Sequence, residues 1–381
     1  MTATIPMTVD AFQRELIRQL CEHNYEVTVV SSPGGRLWKV ADDLHVKASA
    51  IGMTRALSPG RDALALVRWI VLLVRLRPQL VVSATPKASL LAMVAARLTG
   101  VPRRLYSAVG LRLEGEEGWR RTLLIAMERI TAGSATTVVP NSPSLAAKYR
   151  DLALVDPSKI HPTVPASSHG VDTQYFTPRE RDLSVLDELG LDPSIPIAGF
   201  VGRLTHDKGI DDLVAAVTLV HGAKVPFQLL VVGPQDEADS ARYSALLRGC
   251  PVPVATVDEV SDVRPYYSCM DVHVLPTLRE GFPNVVLEAA AMGVPTVTTR
   301  ATGAIDSVDD DVTGRLVEVS DPRALARAMS DLLSDRTRAQ QLGHAAREKA
   351  VRAYEPRAVV RSHLRSVMTE PAGVCSKDEG A

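Results

Sequence analysis

Gly199-Phe-Val-Gly-Arg-Leu-Thr-His-Asp-Lys-Gly209 joins the end of an apolar strand, Ile197 to Val201, to a glycine-bearing turn and a helix that follows Lys208. The same order recurs at Leu275-Pro-Thr-Leu-Arg-Glu-Gly-Phe-Pro-Asn-Val-Val-Leu-Glu288, where a strand ends at Leu275 and a helix opens near Asn284. Short buried strands alternating with helices are the mark of βαβ units that build a parallel sheet. Open sheets of this kind bind ligands outside the carboxyl ends of their strands, and both turns fall there.

Working outward, the second half adds strands at Gln228 to Val232, Thr296 to Thr298 and near Arg315 to Val317, with helices after Asp236, Asp262, Asp321 and Asp335. The first half alternates likewise. Its strands are Val27 to Val30, Leu80 to Ser83, Arg104 to Ser107 and Thr136 to Pro140. Its helices are Val9 to Glu22, Asp62 to Leu76, Ala88 to Leu98, Trp119 to Ala132 and Ser142 to Arg150. At 381 residues the chain exceeds the roughly 250 to 300 residues at which single cores stop growing. It therefore reads as two similar α/β domains, 1–170 and 171–355, joined through the breaker-rich stretch 165–195. A helix at 356–370 is expected to return to the first domain, and a disordered tail occupies 371–381. Met1 to Thr8 is too short and polar for the buried strand that should open the first domain. That strand is expected to be missing, with the start truncated or misassigned.

Composition excludes several classes. The formal net charge of −1 gives no global pull toward nucleic acid. Cys21, Cys250, Cys269 and Cys375 show no metal-site or disulfide spacing and read as reduced thiols. The most apolar N-terminal stretch, Ala63 to Val74, is interrupted by Arg68 and falls short of the roughly 20 residues of a membrane span. No secretory signal opens the chain. The amphipathic patch from Arg61 to Arg77 could rest on a bilayer or pack on its own sheet. Asp309-Asp-Asp311 reads as a solvated turn rather than a metal site, and Pro33-Gly-Gly35 lacks the dinucleotide fingerprint.

The two quoted segments carry the chemistry. Arg203 and Lys208 place two cations at a strand end. There they can stabilise a diphosphate that gains negative charge as its bond to a sugar breaks. A helix start at Asn284 offers unpaired amides to an anion. Glu288, a turn into that helix, can accept hydrogen bonds from both hydroxyls of a ribose, while Glu280 in the loop can reach a transferred sugar. Taken singly, each has a bland alternative: a solvated basic loop, a glutamate complementing a helix dipole, or a surface residue.

Together the pattern G-x-V-G-R-L-x-x-x-K-G and E-G-F-P-N-V-V-L-E-A-A-A-M-G-V-P-T-V resembles family 4 of the retaining glycosyltransferases, whose E-x7-E motif is met by Glu280 and Glu288. The likeness continues through Thr302–Asp306, Thr313–Val317 and Asp321–Leu325. It implies a GT-B fold, two Rossmann-like doubly wound domains facing a cleft. It also implies an N-terminal acceptor domain and a C-terminal domain for a nucleotide sugar, with catalysis by Arg203, Lys208 and Glu280. The implied donor site comprises Gly202, Arg203, Lys208, Glu280, Gly281, Phe282, Pro283, Asn284, Val285, Val286 and Glu288, with Val257 to Asp262 flanking the base. No metal and no cofactor are implied beyond the donor, a nucleoside diphosphate sugar with UDP expected.

In the first half, Thr85–Leu91 and Tyr106–Glu114 are similar to the branch that builds bacterial surface polysaccharides, whose acceptors are glycans or polyprenyl-diphosphate-linked sugars. Many relatives carry a cleft histidine at about the position of Val109. Lys87, Arg112 and Glu114 are the nearest polar substitutes here, or else ordinary strand-end residues. Asp172 is expected to shape the loop between the domains. The resemblance implies a cytoplasmic enzyme, with peripheral contact at the inner face of the cell membrane as an option. A sugar-nucleotide epimerase of the same fold and a catalytically silent sugar-nucleotide-binding protein are the alternatives.

Overall fold

A computed structural model describes residues 1–54, 58–234 and 240–368. The helix start at Asp236, the tail from Pro371 and Cys375 lie outside the described residues. The strands are β1 (Thr28–Ser31), β2 (Lys47–Ala50), β3 (Leu80–Ser83), β4 (Arg103–Ala108) and β5 (Thr137–Pro140) in the first half. The second half contributes β6 (Ile197–Val201), β7 (Gln228–Val232), β8 (Val254–Val257), β9 (Val272–Leu275), β10 (Thr296–Thr299) and β11 (Gly314–Val317). All pairings between them are parallel.

The second sheet runs β11-β10-β9-β6-β7-β8. Numbered within its own domain this is the order 3-2-1-4-5-6 of a dinucleotide-type doubly wound sheet. Strands β6, β7, β9 and β10 are buried along their whole length. They are buried because helices cover both faces, so apart from Gln228 and His273 their sequences read as apolar or β-branched runs.

In the first half, β1 pairs with β2, and β3, β4 and β5 form a second group. The gap between the groups is filled by a stub at the chain start. Thr2 bridges both Val30 and Ser83 in parallel, with Thr2 N donating to Val82 O at 2.9 Å and Val30 N to Met1 O at 2.9 Å. The opening strand expected to be missing is thus reduced to a single bridging residue. Counting the stub as strand one, this sheet has the same 3-2-1-4-5-6 order as the second. The helix anticipated at Val9 to Glu22 is broken at Gln13 into Pro6–Phe12 and Arg14–Glu22. The breaker-rich stretch between the halves also contains a helix of its own, Leu183–Leu189, closed by Gly190 in the left-handed region.

The last helix, Pro356–Met368, lies against the first half. Gln19 Nε2 donates to Arg357 O at 2.8 Å, and Arg357 pairs with Glu22 at 2.6 Å. His363 meets Thr163 at 3.0 Å in a buried contact. Among the described residues no helix is long and apolar enough to cross a membrane.

Candidate donor site and interdomain cleft

The order of the second sheet reverses between β6 and β9, and both quoted segments leave the carboxyl ends of those two strands. Gly209, at φ +72°, lets them approach. A Cβ there would lie 1.9 Å from the Pro276 carbonyl oxygen, a contact no side chain survives. Asp207 then stitches the turns together. Its carbonyl oxygen accepts from Leu278 N and from Thr277 Oγ1, both at 2.9 Å. Its carboxylate pairs with Arg279 at 3.3 Å and accepts from Thr205 Oγ1 at 2.6 Å. Burial pushes the Asp207 carboxyl up. The Thr205 hydrogen bond and the charges of Arg279, Lys208 and Arg203 outweigh it and hold the carboxyl below its ordinary range. Asp207 was not among the residues expected from the sequence. Its place inside the first motif, between the two cations, was the available signal.

Lys208 and Glu280, 72 residues apart, form a half-buried ion pair directly across this junction. Arg203 stands exposed beside them, and Gly202 takes a positive φ of +151° at the strand end. The helix Asn284–Ala291 opens behind Glu280. Pro283 has no N–H, and the amides of Gly281, Phe282, Asn284 and Val285 have no hydrogen-bond acceptor among the described residues. Val286 differs. Its amide donates to Pro283 O at 3.1 Å and its side chain is buried in the core, so it has no contact to offer a ligand. The Phe282 ring is buried against Tyr354 at 5.9 Å between centroids. Only its backbone is available.

Glu288 lies half-buried one turn into the helix. The hydroxyl of the fully buried Tyr267 sits 3.0 Å from Glu288 Oε2 and 3.1 Å from the Val285 carbonyl oxygen. Burial pushes the Glu288 carboxyl up to about 7, against the partial relief of the Tyr267 hydrogen bond. Tyr267 was missed in the sequence because a tyrosine in a short helix, Arg264–Cys269, carries no spacing that distinguishes it from core.

The first half closes on this site. A Cβ on Gly281 would lie 2.0 Å from the Val109 carbonyl oxygen, so the backbones of Val109–Gly110 and Gly281 touch. Across the same seam Thr302 Oγ1 donates to Glu114 Oε1 at 2.6 Å. Ser144 N donates to Asp306 Oδ2 at 3.0 Å, and Gly303 N to Ser144 Oγ at 2.7 Å. Glu114 is therefore engaged in holding the domains together. Lys87 is buried, with its ammonium 2.8 Å from both carboxylate oxygens of Asp62. Arg112 remains exposed on the cleft side.

Asp172 shapes its turn, accepting from Gln174 N at 2.9 Å and Tyr175 N at 3.0 Å through one oxygen. Each carboxylate of Asp309-Asp-Asp311 is taken by a cation, from Lys349, Arg300 and Arg315 respectively. Among the described residues no three His, Cys, Asp or Glu side chains converge as metal ligands, and Cys21, Cys250 and Cys269 are free thiols.

Known proteins share this architecture. Residues 8–165 match the glycosyl transferase 4-like domain, and residues 195–335 match the glycosyl transferases group 1 family. The chain is 34% identical over 337 residues to the capsular polysaccharide biosynthesis glycosyltransferase CapM of Staphylococcus aureus, covering 88% of each. It is 30% identical over 253 residues to alpha-maltose-1-phosphate synthase of Mycobacterium tuberculosis, covering 62% of this chain and 63% of that one. Among solved structures, Anabaena Alr3699/HepE in complex with UDP and glucose superposes with a TM-score of 0.77. The overlap covers 96% of this chain and 97% of that one at 16% identity, a likeness of fold.

Proposed function

We infer the chemistry from one premise: this chain belongs to family 4 of the glycosyltransferases, GT-B proteins that join a 4-like domain to a group 1 domain. It is a glycosyltransferase. The reaction we assign is transfer of a hexose or N-acetylhexosamine, with retention, from a nucleoside diphosphate sugar to a lipid-linked or other glycan acceptor in surface polysaccharide synthesis. One observation carries this reading. Lys208 pairs with Glu280 at the switch point of the second sheet, with Arg203 just past the end of β6 and Glu288 one turn into the helix Asn284–Ala291, whose opening amides lie beside Glu280. The capsule-synthesis relative supports the polysaccharide setting, and the UDP-bound neighbour supports uracil as the base.

In this mechanism the donor diphosphate draws Lys208 away from Glu280 and is held by Lys208, Arg203 and the amides of Gly281, Phe282, Asn284 and Val285. As the sugar–phosphate bond breaks, charge develops on the phosphate that these groups already face, so they stabilise the transition state more than the bound donor. Glu288 accepts from the ribose hydroxyls. Glu280 orients the sugar, and the leaving diphosphate takes the proton of the incoming hydroxyl. These cations supply the compensating charge, so no metal is required.

The acceptor approaches through the first domain. On the helix Pro59–Leu76, Leu64, Val67, Val71 and Val74 are exposed with Arg61, Arg68 and Arg75 among them. Such a face suits the interfacial plane of an anionic bilayer and supports peripheral contact with the inner leaflet.

The test is a donor screen by nucleoside diphosphate release in EDTA, with and without lipid-linked acceptors. Acceptor-dependent release with full activity in EDTA is expected. Strict dependence on added Mg²⁺ or Mn²⁺ overturns the metal-free clamp. An isomerised sugar without acceptor would identify an epimerase, and donor binding without turnover a silent binding protein.

A further inference from the structure

Between the helices Pro86–Leu98 and Gly118–Ser134, beside the short turn Arg112–Gly115, lies a cavity of about 390 Å³. That is the size of a small-ligand site. Its walls are Leu90, Leu113, Leu123, Leu124 and Met127. Trp119, 72% exposed, stands at its mouth, and Leu123 is 39% exposed. Its other end reaches Gly110, whose backbone abuts Gly281 of the donor loop. The cavity therefore runs from solvent to the donor sugar's side of the cleft.

The charges around it are unequal. Lys87 is held by Asp62, and Glu128, on the wall, is held by the Tyr149 hydroxyl. The rim is left with Arg112 and Arg120, facing one carboxylate, Glu116. Neither arginine has an ion pair among the described residues. Arg120 lies 5.8 Å over the Trp119 ring, and Arg112 is two residues from Gly110. A bare sugar would leave the leucine walls unfilled, and an uncharged lipid would leave the arginines unused. An apolar chain ending in phosphate uses both, and delivers whatever the phosphate carries to Gly281.

We propose that this cavity is the acceptor's lipid subsite: it holds the apolar chain of a phosphate-linked lipid, with Arg112 on the phosphate. The assignment rests on the acceptor reading above and adds the place and the residues. Of Lys87, Arg112 and Glu114, it explains why the one left exposed is an arginine, while Lys87 and Glu114 are committed to structure.

The full-length protein should be titrated with farnesyl phosphate below its aggregation threshold, following tryptophan fluorescence, with Trp119→Phe assigning the signal. Farnesol and inorganic phosphate are the comparison probes. Saturable binding of farnesyl phosphate is expected, at least about tenfold tighter than either probe, since one charge-assisted contact is worth about that much. Arg112→Gln should weaken farnesyl phosphate to the level of farnesol, and Leu123→Glu should weaken farnesyl phosphate and farnesol together. Calorimetric binding of the nucleotide sugar should be unchanged in both variants, which establishes that they fold. Equal affinity for farnesol and farnesyl phosphate, indifference to Arg112→Gln, or no saturation would each overturn the proposal. Transfer to a water-soluble glycan is read separately. Its persistence alongside failed lipid binding sinks the subsite alone, and absence of transfer to both soluble and lipid-linked glycans sinks the functional reading.

Discussion

Glu288 offers a quantitative test because its burial and its proposed role pull in opposite directions. Burial raises its carboxyl to about 7, whereas holding two ribose hydroxyls requires the carboxylate. Binding of a nucleotide sugar must then fall as the free protein is protonated. At pH 6, one unit below the midpoint, about a tenth of the molecules carry the charge, and at pH 8 about nine-tenths do. The donor Kd should therefore be about tenfold weaker at pH 6 than at pH 8, and calorimetry below pH 7 should show proton release on binding. A nucleotide sugar is the proper probe, since its diphosphate diester does not titrate there. Glu288→Gln keeps one acceptor but loses a charge-assisted bond of about 1.5–3 kcal/mol, roughly 10- to 150-fold in Kd at pH 8. Its binding should be flat with pH. Tyr267→Phe removes the hydrogen bond that lowers this carboxyl, so its midpoint should move further up. Stability carries the opposite sign. A carboxyl whose folded value is raised above its unfolded one favours the folded state at low pH, and that contribution is lost as pH rises from about 4.5 to 7. Donor affinity unchanged between pH 6 and 8 in the wild type would rule out the Glu288 carboxylate as the ribose acceptor.

Three further outcomes follow from the same geometry. Lys208→Ala should lower kcat about 10²- to 10³-fold, the scale of losing one preorganised transition-state contact, with a smaller change in donor KM by steady-state kinetics. Gly281→Ala forces a Cβ to 2.0 Å from the Val109 carbonyl oxygen. Overpacking of about 1–3 kcal/mol should lower the unfolding midpoint by a few degrees in calorimetry and slow transfer. Thr302→Val removes the hydrogen bond to Glu114 across the seam and should raise acceptor KM while leaving donor Kd unchanged.

Most of the sheet framework was legible. β3, β6, β7 and β9 lie where the apolar runs placed them, because strands covered on both faces are predominantly apolar. The two strands that went unread, β2 and β8, are the outer edges of their sheets, and β2 is exposed or half-buried throughout. An edge strand needs no continuous apolar run, so Lys47-Ala-Ser-Ala50 looks like loop. The opening stub was illegible for a related reason. Thr2 is placed by two neighbouring strands rather than by its own propensity, a tertiary effect that no local window contains. At the site, spacing pointed to Arg203, Lys208, Glu280 and Glu288. It could not show that Asp207 joins the two turns, that Tyr267 holds Glu288, or that Val286 faces the core. Those depend on which atoms the fold brings together from separate elements, such as Asp207 with Leu278 and Tyr267 with Glu288.

In the proposed mechanism the Arg203–Lys208 turn and the Glu280–Glu288 segment together activate a nucleoside diphosphate as leaving group. The most direct test is single-turnover transfer in EDTA with saturating donor and acceptor, comparing wild type with Arg203→Ala. One nucleoside diphosphate should be released per glycosylated acceptor, at a rate about 10²- to 10³-fold lower in the variant. A wild-type rate in Arg203→Ala would contradict this mechanism.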